Sequence, residues 1–232
     1  MDTQQDNDQP IVRHIGVMGG TFDPVHYGHL VIAEEVCATL SLTEVVFIPA
    51  GQPPHKAGHV ITDVQHRVAM LELALASNPH FSLSRIEVER VGPSYTVDTL
   101  RTLRARWGAN TDISFIIGWD SLEELYTWYK ASDILTLVTH LVAVRRPGYE
   151  EDTEYNSVLE QRLPGILQRL LVVQAPQLEI AATDLRQRVF EGRPIKYQTP
   201  EGVETYIREK HLYHHIQVEG EGEKHAFSQK EL

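Results

Sequence analysis

Short apolar, β-prone runs alternate with helical runs along this chain, and that alternation restricts its possible folds more than any other feature. Strands separated by helices of about 10–15 residues imply βαβ units, and hence a parallel sheet with helices on both faces. Ile15–Met18 ends in Gly19-Gly20 and reads as a buried strand entering a turn. From Gly28 to Leu40, the residues Leu30, Ala33, Cys37 and Leu40 form a helical stripe. Val45–Pro49 reads as the next strand and enters the Gly- and Pro-rich loop Ala50–Gly58, and Asp63–Ala76 reads as a helix. Residues 81–90 alternate, which predicts one or two strands. Thr96–Trp107 is a predicted helix, Ile113–Ile117 a strand ending at Gly118, and Leu137–Val144 a strand ending at Arg145-Arg146-Pro147-Gly148. Residues 149–165 carry little pattern and read as a flexible connection. A strand around Leu170–Val173 and helices near Thr183–Phe190 and Pro200–Lys210 complete the series. The expected organisation is one α/β domain over residues 11–213 with a small helical C-terminal appendage, flanked by disordered ends at 1–10 and 214–232.

Composition narrows the function classes. The 232 residues carry a net charge of −11, inflated by both termini, which argues against a general nucleic-acid binder. An anionic ligand must then be held by a few placed groups and not by a broad positive field. The lone Cys37 excludes an internal disulfide framework and lies in an apolar helical pattern, as a buried structural thiol would. No apolar stretch approaches the roughly 20 residues that span a bilayer, and the first residues are acidic, unlike a signal peptide. A soluble, cytoplasmic protein without nucleic-acid or membrane partners is expected; homo-oligomerisation is neither specified nor excluded.

Ligands of open α/β sheets bind outside the carboxyl ends of the strands, where strand order reverses. The unusual residues of this chain sit at such ends. After the first strand comes Gly19-Gly20-Thr21-Phe22-Asp23-Pro24-Val25-His26-Tyr27-Gly28-His29-Leu30. Two glycines permit a sharp turn and close backbone approach, and a helix beginning near Gly28 offers unpaired N–H groups to an anion. His26 and His29 would add two imidazole donors, and Gly28 would leave room for a phosphate. The string is neither a G-x-x-x-x-G-K-[ST] loop nor a G-x-G-x-x-G fingerprint. His55 and His59 have metal-ligand spacing, but Pro53, Pro54 and Gly58 argue against the helix that a zinc pair would need.

With His26-Tyr27-Gly28-His29 as its H-x-G-H element, Gly19–Leu30 resembles the signature of the nucleotidylyltransferase superfamily. Pro53-Pro54-His55-Lys56, Ser94–Leu100, Gly118-Trp119-Asp120, Trp128, Arg145–Gly148, Thr183–Arg186 and Pro200–Tyr213 then follow in order. Together they resemble the bacterial nicotinate-nucleotide adenylyltransferase family over nearly all of 11–213. The resemblance implies a Rossmann-like doubly wound sheet and adenylyl transfer from ATP to nicotinate mononucleotide, giving deamido-NAD and pyrophosphate. It implies a Mg²⁺ ion held mainly by the ATP phosphates, with no metal site built from protein side chains.

His26 and His29 are then the catalytic residues. Gly19, Gly20, Thr21, Phe22, Gly28, Gly118, Asp120, Thr183 and Arg186 line the ATP site. Lys56, Tyr95, Thr96, Trp128 and Arg145 contact the mononucleotide. Tyr95 and Thr96 open a helix that would grip the carboxylate, Trp128 would stack on the pyridine ring, and Trp119 reads as a core residue. Asp120 serves a ribose or the metal, and either Arg145 or Arg146 faces the pocket. One departure stands out: Ile180-Ala181-Ala182-Thr183 lacks the hydroxyl that the family carries at 181. A lost neutral hydrogen bond is worth roughly 0.5–1.5 kcal/mol and predicts weaker ATP affinity.

Overall fold

Six strands pair in parallel in the order β3-β2-β1-β4-β5-β6 in the computed structural model, which describes residues 12–54, 60–145, 153–176 and 178–214. β1 (Arg13–Gly20), β2 (Glu44–Pro49) and β3 (Phe81–Leu83) form one half; β4 (Thr111–Gly118), β5 (His140–Arg145) and β6 (Leu170–Gln174) form the other. β1 lies between β2 and β4, so the chain changes direction across the sheet there, and the carboxyl ends of β1 and β4 flank a crevice. The doubly wound α/β fold is as expected.

Successive side chains of a buried strand feed opposite faces of the sheet, and two cores result. Ile15, Val17, Val46, Ile48, Ile113, Phe115 and Ile117 pack with α3 (Thr96–Trp107), α4 (Trp119–Glu124), α5 (Ala131–Leu137) and α6 (Thr153–Arg162). Met18, Val45, Phe47, Ile116, Val142 and Val144 pack with α1 (Tyr27–Thr39), α2 (Val64–Leu75), α7 (Ala182–Phe190) and α8 (Glu201–Glu209). A Cβ at Gly16 would stand 2.9 Å from Leu42 Cδ1 and 3.0 Å from Ile116 Cδ1, so this point of β1 admits no side chain without movement.

Three sequence expectations change. Residues 81–90 give only the short β3; Ser84 N–H still donates to Phe47 O, and Arg85–Glu89 then close a turn that sends Ile86 into the core. Leu137 ends a helix instead of starting a strand: apolar residues dominate Leu135–Val144 on both sides of Thr139-His140 and hide the break, which comes where Thr139 N–H donates to Ile113 O. Residues 153–162 form α6, not a flexible connection. Only Leu159 of that helix is buried, so its apolar stripe is too narrow to read from sequence. The expectations for residues 1–10 and for most of the 214–232 tail lie outside the described residues.

Candidate active site

The loop leaving β1 is shaped from below. Phe22 adopts left-handed backbone geometry (φ 50°) and is buried against Phe47, ring centroids 5.8 Å apart. A Cβ on Gly20 would fall 2.9 Å from Phe22 Cζ, so the glycine is what lets this ring fold back beneath the loop. Asp23 is buried and accepts from Tyr213 Oη (2.7 Å) and from Thr62 N–H (3.1 Å). Its carbonyl accepts from Arg186 Nη1 at 2.8 Å. Thr199 Oγ1 donates to Val25 O (2.8 Å), and Tyr27 N–H donates to Gln198 O (3.0 Å). The C-terminal segment therefore fixes the loop at four points. Burial and the Asp23 charge together push the Tyr213 hydroxyl far above its usual pKa, so it is a permanent donor.

His26 is the N-cap residue of α1, and His29 stands one turn on, the two rings stacked at 3.7 Å. His26 N–H donates to His29 Nδ1 at 3.2 Å, which makes Nδ1 the acceptor and leaves Nε2 of the neutral ring as the protonated nitrogen. Burial lowers the His26 pKa to about 4; burial, with His26 alongside, lowers that of His29 to about 3. Both rings are neutral donors at pH 7 in the free protein. Gly28 lies against the His26 ring, where a Cβ would stand 2.9 Å from His26 Nδ1, so a side chain at this position would displace the imidazole.

Two cavities open at the carboxyl ends of the strands. One, of about 390 Å³, is lined by Gly19, Gly20, Thr21, Pro53, Pro54, Glu87, Tyr95, Thr96, Trp128 and Tyr129, among others. The other, of about 530 Å³, is lined by His26, Gly28, Trp119, Asp120, Val144, Arg145, Leu178 and Ile180. They share His29, Ile32 and Gly118, and so form two lobes of one crevice meeting at the second histidine.

The structure sorts the sequence candidates between these lobes. Gly19, Gly20, Thr21, Tyr95, Thr96 and Trp128 face the first, with Tyr95 as N-cap of α3 and Trp128 edge-on to Phe115 at 6.3 Å. His26, Gly28, Asp120 and Arg145 face the second. Trp119 is half-buried: it packs against the core, as expected, and also forms part of that second wall. Phe22 supports the loop from beneath. Thr183 and Arg186 line neither lobe; Arg186 is joined to the Asp23 carbonyl. Lys56, His55, His59 and Arg146 lie outside the described residues.

Sequence reasoning missed several groups. Arg67, 1% exposed, donates to three main-chain carbonyls, Thr62 O at 2.9 Å, Thr21 O at 2.7 Å and Ala50 O at 2.8 Å. It thereby ties the loops after β1 and β2 together. Glu87, 7% exposed, accepts from Thr99 Oγ1 at 2.6 Å, and burial raises its pKa despite the Thr99 and Ser94 hydroxyls. Ser94 Oγ in turn accepts Gly51 N–H (3.0 Å) and Gln52 N–H (3.1 Å). Tyr129 pairs with Tyr95, centroids 4.5 Å apart. Ionisable residues inside apolar helix or strand patterns, as at Arg67 and Glu87, were the readable signal.

The family model described as cytidylyltransferase-like matches residues 17–188. A protein of Thermomicrobium roseum named "Probable nicotinate-nucleotide adenylyltransferase" is 46% identical over 204 residues, covering 88% of this chain and 93% of that protein. A Roseiflexus castenholzii protein of the same name is 48% identical over 198 residues, covering 85% and 96%. Among solved structures, Plasmodium falciparum nicotinic acid mononucleotide adenylyltransferase complexed with NaAD superposes with a TM-score of 0.70 at 18% identity. That match covers 87% of this chain and 98% of that one and shows a shared fold.

Proposed function

The chain belongs to the cytidylyltransferase-like family and, within it, to the nicotinate-nucleotide adenylyltransferases, and on that premise we propose how its two-lobed crevice transfers the adenylyl group of ATP to nicotinate mononucleotide. The observation that carries the reading is the meeting of both lobes at His29 and Gly118. Two substrates placed in separate lobes would present their reacting phosphates at that junction.

Phosphoryl-type transfer needs positioning and charge neutralisation more than covalent participation. The mononucleotide, seated in the lobe of Tyr95, Thr96 and Trp128, presents a phosphate oxygen to the α-phosphorus of ATP in the lobe of Asp120. This seating moves Arg145, expected at the mononucleotide, to the ATP side, and Gly19, Gly20 and Thr21, expected at ATP, to the mononucleotide side. As the new P–O bond forms, the bond from the α-phosphorus to the bridging oxygen breaks in line, and pyrophosphate leaves with the electron pair. His29, held by the His26 main chain in the tautomer that donates through Nε2, gives a hydrogen bond to the triphosphate without needing a proton from solvent. His26 adds a second imidazole stacked on the first. The triphosphate would raise both depressed pKa values on binding, strengthening each donor as negative charge moves to the leaving group.

Magnesium fits this site as an ion carried by its substrate. Asp120 is the exposed carboxylate on the nucleotide lobe, and no cluster of three or more His, Cys, Asp or Glu forms among the described residues. The ion would take phosphate oxygens, water and at most Asp120, and would neutralise charge on the leaving pyrophosphate.

Pyrophosphate release with ATP and Mg²⁺ tests the reading, with nicotinate and nicotinamide mononucleotides offered separately. The nicotinate form should turn over preferentially, and His29→Ala should lose at least about 100-fold in kcat, the scale of one removed transition-state donor. Absence of pyrophosphate with either acceptor, from protein that still binds ATP, would refute it.

A further inference from the structure

Trp119 opens α4 directly after β4, and Arg145 closes the neighbouring strand β5. Gly118 pairs in register with Val144, so the next residues on each strand, Trp119 and Arg145, emerge side by side. The indole plane is held from two directions. Nε1–H donates to Glu123 Oε1, one turn along α4, at 3.2 Å. Tyr155 of α6 stacks on the ring with centroids 5.3 Å apart and planes 29° apart. The Arg145 guanidinium then lies over the indole, its Cζ 4.2 Å from the ring centroid, and Arg145 as a whole is only 8% exposed. Both residues line the 530 Å³ lobe beside His26, His29 and Asp120.

An arginine on an indole face is attracted by the ring quadrupole, and its planar cation is more weakly hydrated than an ammonium. The stack therefore turns a long, rotamer-rich side chain into a flat, permanently charged element of the lobe wall. We propose that Trp119 is a positioning residue for the nucleoside triphosphate: it holds Arg145 in the wall of the nucleotide lobe and so sets the affinity for ATP, leaving that for the mononucleotide untouched. The assignment rests on the adenylyl-transfer reading only in taking this lobe as the ATP side. Trp128, on the other lobe, is an internal control.

Calorimetric titration with ATP and, separately, with nicotinate mononucleotide tests this on the wild type, Trp119→Phe, Trp119→Leu, Arg145→Met and the Trp119→Leu/Arg145→Met double variant. Trp119→Leu should weaken ATP binding by about 3- to 30-fold, the span of a cation–π contact from exposed to desolvated. Mononucleotide binding should change by less than about twofold, and Trp119→Phe, which keeps an aromatic face, should recover most of the loss. On the Arg145→Met background the Trp119→Leu change should add almost nothing, since its effect runs through the guanidinium. A second readout needs no variant at Trp119. The Arg145 side-chain resonances of the wild-type protein, assigned with Arg145→Lys, should carry an upfield ring-current shift that ATP perturbs and the mononucleotide does not. Equal weakening of both ligands, multiplying effects of the two substitutions, or an unshifted Arg145 signal would each overturn the proposal. The adenylyl-transfer reading fails on a different observation, a wild-type protein that binds ATP and releases no pyrophosphate.

Discussion

Arg67→Met is the substitution that most sharply tests how the crevice is held together. The guanidinium is 1% exposed, and all three of its hydrogen bonds go to main-chain carbonyls, those of Thr21, Ala50 and Thr62. Burial pulls its pKa down while the nearby Asp23, Tyr213 and Asp63 oppose the shift. Methionine fills much of the same volume but donates nothing, so three inward-facing acceptors lose their partner. Each such acceptor costs about 1–3 kcal/mol if nothing replaces the donor, and partial relaxation of the loops reduces the total to about 3–5 kcal/mol. For a chain of this size, that corresponds to a fall in Tm of about 6–20 °C, readable by calorimetry or by urea denaturation. Because Thr21 and Ala50 both line the 390 Å³ lobe in which we propose the mononucleotide sits, KM for the mononucleotide should rise in protein that remains folded. Arg67→Lys should fall between, since one ammonium cannot span three carbonyls that a guanidinium reaches through Nε, Nη1 and Nη2. A Met variant within about 1 kcal/mol of wild type would refute the claim that this residue joins the β1 and β2 loops.

Three further outcomes follow from the geometry. The depressed folded pKa values of His26 and His29 mean that their contribution is complete above the unfolded value of 6.5. It is lost as pH falls toward about 4 and about 3, because unfolding then takes up protons. Unfolding curves at pH 7, 6 and 5 should show the wild type losing stability faster than His29→Gln, with the gap growing by about 1.4 kcal/mol per unit below pH 6; parallel profiles would contradict the assignment. Ala181 is the N-cap of α7 in extended geometry (φ −110°, ψ 136°) and has no side-chain acceptor to offer. Ala181→Ser should therefore stabilise the protein by about 0.5–2 kcal/mol as a cap, with KM for ATP changed less than twofold, in place of the ATP contact that the family resemblance implies; an unchanged Tm with a lower KM would restore that contact. Glu87 carries a raised pKa from burial, so Glu87→Gln, which keeps an acceptor for Thr99, should leave stability at pH 7 unchanged or raise it by up to about 1 kcal/mol. A loss above about 2 kcal/mol in urea denaturation would show that the charged form is needed.

The parts of this molecule that were legible in sequence are those whose signal is local. Hydrophobic period reports a face, and it located β1, β2, β4, β6 and the helices at 64–75 and 96–107 within a residue or two. The Gly19–Leu30 string was legible because a turn, two glycines and two histidines sit within one loop and one helical turn. What remained hidden depends on partners far along the chain. Arg67 stands between His66 and Val68, beside the apolar stripe of its helix, and its partner Thr21 is 46 residues away. Tyr213 bonds Asp23 across 190 residues, and no spacing rule connects them. Trp119, which both packs on the core and lines the crevice, was legible only in part. An indole after a strand is ambiguous between core and wall, and only the register of β4 against β5 decides it.

The C-terminal elements therefore change meaning between sequence and structure. As a pattern, the stretch from α7 to Tyr213 is an appendage after the last strand. In the fold it holds the loop before α1 through Asp23 Oδ1, the Asp23 and Val25 carbonyls and the Tyr27 N–H. Those four bonds come from four separate residues on α7, the 193–199 connection and the segment after α8. A rotation of the appendage would therefore move the loop carrying His26 with it. Arg67 fixes the same loop from the opposite side, through Thr21 and the end of β2. A neutral imidazole can serve as a phosphate donor only if its direction is fixed before the substrate arrives, since it lacks a charge to draw the ligand into place. Burial that keeps both histidines neutral and long-range bonds that fix their loop are together what the proposed donor role requires.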